Sequence, residues 1–253
     1  MATHFARGIL TEGQLVSIRL SSSCHIEARN LPAHRRTRFL ASRGLLAELM
    51  FMLYGISELP EIIIQAKGKP AFRDKNLPGF SISYAGNMVG VALTTEGECG
   101  LDMELQRTSR SRGFHHPHSL ERHPFSRNEN LWVANQNDPN EARAQLITLR
   151  QSVLKLTGDV MNDDPRELQL LPVAGRLKCA HVTQLEAVCD AEDVLVWSVT
   201  VTPAIEKLKV WEFDGKLGWK SLPDIQTRAN EPTGRLMRFA QLPAAKSYTL
   251  NRS

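Results

Sequence analysis

The sequence predicts an α+β fold made of two similar halves. Two observations support this prediction. An amphipathic helix is followed by short strands early in the chain, and a second amphipathic helix is followed by a strand of the buried type after a long polar stretch. A helical period that gives way to strand patterns is typical of this fold class. The 253 residues are enough for one large domain or two small ones with a buried core.

The N-terminal half is predicted to span residues 1–107. Its helix covers residues 39–54, where apolar side chains recur at helical spacing and Gly55 supplies a stop. Three short strands follow, separated by turn residues, and are interpreted as an antiparallel meander. They cover residues 79–84, 88–94 and 99–105.

Residues 108–140 are rich in Arg, His, Asn, Ser and Pro, which predicts an exposed connection. The C-terminal half is expected at 141–205. Its helix runs from about residue 140 to 157 and ends at Gly158, and its strand covers 194–201.

A C-terminal extension of uncertain structure is predicted at residues 206–253. Within it, residues 209–220 are typical of a hairpin that turns at Asp214 and Gly215, since this dipeptide favours tight turns between strands.

The overall charge is mildly basic, with 31 Lys and Arg against 27 acids and a net charge of +4. This balance favours acidic partners without indicating nucleic acid, because aromatic residues make up 6% of the chain and no basic and aromatic platform is visible. Residues 29–43 hold several arginines and no acid. The four cysteines form no CxxC pair, and the longest apolar run is too short to cross a bilayer. We therefore expect a reduced, cytoplasmic protein with no membrane contact.

The stretch GECGLDMEL, at 97–105, places Asp102 and Glu104 one residue apart among apolar neighbours. In a strand these two acids point to one face, while Leu101 and Met103 point to the other. Two close like charges repel each other unless water, a basic side chain or a cation compensates. The pattern alone leaves a solvated strand face, an ion pair and a metal site open.

Several short motifs occur in an order that resembles a known family. They are R-x-x-x-x-R at Arg38 and Arg43, GKPAF at 68–72, FSIS at 80–83, GLDME at 100–104, FSRNE at 125–129 and RQSVLK at 150–155. This order and spacing resembles the larger, pseudo-dimeric 4′-phosphopantetheinyl transferases of the holo-acyl-carrier-protein synthase superfamily. The resemblance spans residues 36–158, and the strand at 194–201 fits as a later element.

The resemblance implies two similar α+β halves about a pseudo-twofold axis, with coenzyme A in the cleft between them. It implies transfer of the 4′-phosphopantetheine arm of coenzyme A to a serine of an apo acyl or peptidyl carrier protein, by a monomer that uses Mg²⁺. Asp102 and Glu104 would be the metal ligands. This use of the acids agrees with the preference of Mg²⁺ for one or two carboxylates together with phosphate oxygens.

The resemblance also assigns the remaining site positions. Lys155 and Gln151 would occupy the catalytic positions, and four residues would contact the coenzyme. These are Arg43, Lys69, Ser83 and Tyr84. Read without the resemblance, Arg43 is an ordinary helix arginine, and Lys155 is a solvated lysine that complements the helix dipole.

Two positions depart from the family pattern. Tyr84 stands where the family has His, and a phenol does not become cationic near neutral pH. Gln151 replaces the glutamate that acts as metal ligand and general base in the family, and an amide does not accept a proton at ordinary pH. Glu141 lies too far along the same helix to replace it. A relative that binds coenzyme A or a carrier protein without modifying it is the alternative function.

Two further patterns have competing interpretations. The histidines of FHHPH, at 114–118, are interpreted as part of an exposed loop rather than a zinc site, because no Cys or acid at typical spacing completes the set. In FSRNE, Ser126 and Glu129 are spaced as a helix-capping pair, which competes with an active-site role for Glu129.

Overall fold

The structure is a computed structural model that describes residues 2–10, 17–106, 125–158, 167–223, 225 and 235–243. The described helices are α1 (Ser22–Arg29), α2 (Ala33–Tyr54), α3 (Arg127–Ala134) and α4 (Pro139–Thr157). The first six strands are β1 (Thr3–Ile9), β2 (Ile62–Ile64), β3 (Pro70–Phe72), β4 (Gly79–Ala85), β5 (Met88–Thr94) and β6 (Cys99–Leu105). The later strands are β7 (Leu168–Leu171), β8 (Arg176–Cys179), β9 (Glu186–Ala191), β10 (Leu195–Val201), β11 (Leu208–Asp214), β12 (Gly218–Ser221) and β13 (Met237–Gln241).

The first sheet has the strand order β12-β11-β1-β5-β4 and is covered on one face by α2. This helix confirms the one predicted at 39–54, although it begins earlier, at Ala33, directly after Pro32. It ends at Gly55, whose φ of 69° is the left-handed conformation that glycine adopts without strain. Leu45, Leu46 and Leu49 of α2 are fully buried against this sheet.

The second sheet has the order β6-β10-β9-β13-β8-β7 and is covered by α4. The α4 helix confirms the second predicted helix. Asp138 caps its first turn by accepting a hydrogen bond from the Glu141 N–H, and Gly158 ends it with a φ of 77°. The apolar stripe of α4, which includes Leu146, Leu149 and Val153, is buried against the sheet.

A third core fills the space between the two sheets. Phe5 of β1 and Trp197 of β10 meet there with ring centroids 4.9 Å apart, and Leu101 and Met103 of β6 join them. The molecule therefore stacks as helix, sheet, sheet and helix. The α+β class is as predicted, whereas the pseudo-twofold relation of two halves stays a prediction.

Strand β6 differs from its predicted place in a three-strand meander. Strands β4 and β5 pair as expected, but β6 pairs with β10 in the second sheet, with Met103 opposite Trp197. The reason is that both edges of β5 are already occupied, one by β1 and the other by β4. The apolar side chains of β6 are buried between the sheets instead.

Two segments have more structure than the sequence predicted. Strands β11 and β12, from the predicted extension, join the first sheet, where β11 runs parallel to β1. The hairpin expected at 209–220 is confirmed by the antiparallel pairing of β11 with β12. Part of the predicted exposed connection forms α3, in which Glu129 and Val133 are buried. The histidines at 114–118 lie outside the described residues.

Among the described helices, none combines the length and the apolar character that crossing a membrane requires.

Candidate functional site

The outer edge of β6 rests against the face of β4. The Ser81 hydroxyl oxygen accepts a hydrogen bond from the Leu101 N–H at 3.0 Å, and the Ser83 oxygen accepts from the Met103 N–H at 3.2 Å. Both serines are buried and share a face of β4, because side chains alternate along a strand. They supply the acceptors that a neighbouring strand would otherwise provide.

Two lysines bind the carbonyl groups on the same edge of β6. Lys69 Nζ donates to the Cys99 oxygen at 2.8 Å and to Glu98 Oε2 at 3.1 Å. Lys155 Nζ donates to the Leu101 oxygen at 2.9 Å. The edge of this strand is therefore held by side chains from three separate parts of the chain.

The face of β6 that carries the two acids is turned toward α4. A Cβ added to Gly100, which shares this face, would lie 2.0 Å from the Ser152 carbonyl oxygen of the helix. Only glycine allows the two backbones to approach so closely. Asp102 and Glu104 follow on the same face and are half-buried, as the alternation in the sequence predicts.

One row of side chains on α4 includes Lys155, whose Nζ contacts β6. Ile147, Gln151 and Lys155 lie four residues apart and are half-buried, in a helix whose other central residues are mostly buried. Lys155 Nζ lies 3.2 Å from Asp102 Oδ1, and the two side chains are 25% and 18% exposed. A lysine thus compensates part of the negative charge that the acid pair brings to this face of β6.

The residues present fit a cation that is held only in part by protein. No group of three His, Cys, Asp or Glu side chains with metal-binding geometry occurs in the part of the chain that the structure describes. Two carboxylates on one strand face suit Mg²⁺ that takes its remaining ligands from water and phosphate oxygens. They do not form a complete protein cage.

Two of the predicted coenzyme residues lie at α2. The Arg43 guanidinium lies over the Phe39 ring, 4.6 Å from its centroid. The Tyr84 hydroxyl donates to Ser42 Oγ at 2.9 Å. Tyr84 faces α2, so it lies on the opposite side of β4 from Ser83. Within the described residues, neither Arg43 nor Tyr84 touches the acid pair.

The role of Ser81 was not predicted from the sequence. The signal was present in FSIS, since a strand turns Ser81 and Ser83 to one face, but their target on β6 is about twenty positions away and has no local signature. In this structure the polar atoms of Ser83 and Lys69 bind β6. Contacts of these two residues with a coenzyme stay predictions.

Glu129 has a structural role. Its carboxylate accepts from the Ser126 N–H, which completes a capping box with the Ser126 side chain. It is fully buried, and its Oε1 lies 3.1 Å from Arg150 Nη2 and accepts from the Leu170 N–H at 3.0 Å. The capping interpretation is confirmed, and the buried contacts with Arg150 place this carboxylate inside the fold.

Glu141 lies at the opposite end of α4 from Lys155. Its carboxylate accepts from Arg235 at 2.6 Å and from Gln106 at 3.0 Å. This position agrees with the expectation that Glu141 does not replace the missing glutamate at Gln151.

Fold and site together define a four-layer α+β protein with an acid pair and a lysine beside one sheet edge. No family model matches the chain. It is 77% identical over 251 residues to the "Uncharacterized protein YieE" of Escherichia coli (strain K12), which covers 99% of this chain and 100% of that protein. The chain belongs to the YieE family.

A shorter similarity connects the chain with transferases. The 4′-phosphopantetheinyl transferase AcpT of Escherichia coli (strain K12) is 41% identical over 73 residues, which are 29% of this chain and 34% of AcpT. AcpT of Salmonella typhi is 37% identical over 73 residues, 29% of this chain and 35% of AcpT. The chain thus spans about a third of the length of these transferases.

Proposed function

We propose that this protein transfers the 4′-phosphopantetheine arm of coenzyme A to a serine of an apo acyl or peptidyl carrier protein. The observation that carries the proposal is the meeting of separate motifs at one strand. Lys69 of GKPAF, the serines of FSIS and Lys155 of RQSVLK all bind the edge of β6, which bears Asp102 and Glu104. The partial similarity to AcpT supports the same activity.

The acid pair suits a magnesium-dependent reaction. Asp102 and Glu104 would hold Mg²⁺, which when bound supplies neutralisation of the pyrophosphate charge. Lys155 lies beside Asp102 and would add a positive charge next to the phosphate oxygens. The Lys69 ammonium group binds the first residue of β6 and provides a second positive charge near the strand.

Gln151 limits the rate that we expect. Its side chain is half-buried on α4, one turn from Lys155, yet its amide does not take a proton from an attacking serine hydroxyl. This substitution favours a second candidate function, in which the protein binds coenzyme A or a carrier protein without transferring the group.

Intact-mass spectrometry of an apo carrier protein separates the two functions. With coenzyme A and Mg²⁺, we expect the carrier to gain one phosphopantetheine group, and Asp102→Asn to abolish the gain. Gln151→Glu should increase the rate about a hundredfold or more, because it restores a general base. Gln169→Glu, which adds the same charge on the distant strand β7, should leave the rate unchanged.

Calorimetry of coenzyme A binding completes the test. Mg²⁺-dependent binding without any mass gain, even in Gln151→Glu, would identify a binding protein instead of a transferase. Absence of binding both to coenzyme A and to the apo carrier protein, with and without Mg²⁺, would contradict both candidate functions.

A further inference from the structure

A cavity of about 400 Å³ lies beside the hairpin formed by β11 and β12, where β1 ends and β5 begins. Three apolar residues contribute to its lining, namely Ile9, Met88 and Leu217. Ile9 is 50% exposed and Leu217 is 88% exposed, so apolar surface is accessible here to a dissolved compound. The volume is within the range of small-molecule sites in proteins. None of the described lining residues belongs to the acid pair or to the predicted coenzyme contacts.

Arg7 provides a polar group at this cavity. It contributes to the lining and is 6% exposed. Both terminal nitrogens of its guanidinium donate to carboxylates, Nη1 and Nη2 to Glu192 and Nη2 also to Glu212. The Nε atom is buried and forms no hydrogen bond with any residue that the structure describes. Because a buried donor without an acceptor is unfavourable, an acceptor placed in the cavity would stabilise this site.

The charges around the cavity are already balanced. Glu192 and Glu212 offset the Arg7 guanidinium, and Glu212 lies opposite Lys220 in the register of β11 and β12. Asp214, which also contributes to the lining, accepts hydrogen bonds from two N–H groups of the turn, at 2.7 and 3.1 Å. Two cations thus face three carboxylates, so an anion gains no attraction here. The acceptor that suits Nε is therefore the oxygen of an uncharged group.

We propose that this cavity is a binding site for an apolar carboxamide, whose carbonyl oxygen accepts a hydrogen bond from Arg7 Nε while its hydrocarbon part covers Ile9, Met88 and Leu217. The ligand class follows from three properties of the site, which are the apolar lining, the donor without an acceptor and the balanced charge. A carboxylate or a phosphate ester does not meet the third property. The proposal does not depend on group transfer at the acid pair.

Calorimetry on the full-length chain tests the ligand class with three probes, 4-butyl-N-methylbenzamide, 4-butylbenzoate and N-methylacetamide. We expect the benzamide to bind about tenfold more tightly than the benzoate, because the carboxylates around Arg7 repel an anion. N-methylacetamide has the same amide group but little hydrocarbon to bury. It should bind more weakly than the benzamide by about tenfold or more.

NMR of the arginine side chains follows the proposed hydrogen bond itself. In isotope-labelled protein, the Arg7 Nε–H resonance is assigned by through-bond spectra. It should move downfield when the benzamide saturates the protein, because the proton gains an acceptor. The Nε–H resonance of Arg73, which is paired with Glu61 at the surface, should keep its position.

Two matched variants test the apolar lining. Ile9→Asp should weaken benzamide binding about tenfold, since it puts a carboxylate among the apolar groups that the ligand covers. Leu131→Asp is the control, because Leu131 is 53% exposed on α3 and lies outside the cavity lining, and it should leave the affinity unchanged. Absence of benzamide binding, equal affinities for the benzamide and the benzoate, an unmoved Arg7 resonance at saturation, or equal effects of the two variants would overturn the proposal.

Discussion

At the scale of single residues, burial determines which titratable side chains affect the stability of the fold. His4 of β1 is 7% exposed, and its Nδ1 accepts a hydrogen bond from Trp211 Nε1 at 3.1 Å. Burial, with a smaller contribution from the nearby Lys209, lowers the pKa of His4 to about 4. The imidazole is therefore neutral in the folded protein over the whole physiological range.

This histidine predicts an acid-sensitive stability. Because its folded pKa lies below the ordinary value, the stability that neutral His4 contributes is fully present above about pH 6.5 and is lost as the pH falls toward about 4. Between about pH 7.5 and pH 5 the loss should amount to about 2 kcal/mol in the free energy of unfolding. Urea unfolding at the two pH values measures it.

The matched variants are His4→Gln and His34→Gln. The His4→Gln amide still accepts a hydrogen bond but does not titrate, so its stability should fall less over this pH range. His34 is exposed on α2, and its replacement should preserve the wild-type loss. An unchanged pH dependence in His4→Gln would show that other groups cause it.

At the scale of elements, local sequence patterns were sufficient to predict the main helices. The end of α4 at Gly158 and the capping box at Ser126 follow from residues within a few positions, so they are readable from sequence. The pairing of β6 is not local, because its partner β10 lies about ninety residues further along the chain. Alternation in GLDMEL fixed which side chains share a face but not which strand would pair with it.

The contact between α4 and β6 predicts a strong effect of one methyl group. In Gly100→Ala the new Cβ meets backbone atoms of Ser152 and Leu156, at 2.0 and 2.8 Å, so the helix must move away from the strand. We expect a loss of about 3 kcal/mol in the free energy of unfolding, measured in urea.

Gly90→Ala is the control for this prediction. Gly90 also lies in a strand, but its added Cβ would meet chiefly the flexible end of the Met103 side chain, which can turn aside. The loss in the free energy of unfolding should be clearly smaller for Gly90→Ala than for Gly100→Ala. Equal costs for the two substitutions would mean that the approach of α4 to β6 is not the limiting contact.

At the scale of the whole molecule, a buried cation joins the two sheets. Arg7 of β1 binds Glu192 in the turn between β9 and β10, and it also binds Glu212 of β11 at 3.2 Å. Trp197 Nε1 donates to the same Glu192 carboxylate at 3.0 Å. Arg7 and Glu192 are 185 residues apart in sequence, so no local pattern predicts their contact.

Removal of this cation should destabilise the whole chain. Arg7→Met leaves the Glu192 carboxylate without its main partner at the boundary between the sheets, and we expect a loss of about 3 kcal/mol. Arg73→Met removes an arginine paired with Glu61 where both side chains are more than half exposed, and it should cost about 1 kcal/mol or less. Thermal or urea unfolding measures both, and similar costs would contradict a bridging role of Arg7.

The outer edge of β6 also affects how copies of the protein meet one another. A strand edge with unbound amides acts as a template on which a foreign polypeptide adds a further strand, and this is a common start of aggregation. Here the Leu101 and Met103 amides and the Cys99 and Leu101 carbonyls are already taken by serine and lysine side chains. The strand that bears the acid pair is thereby protected from sheet growth between molecules.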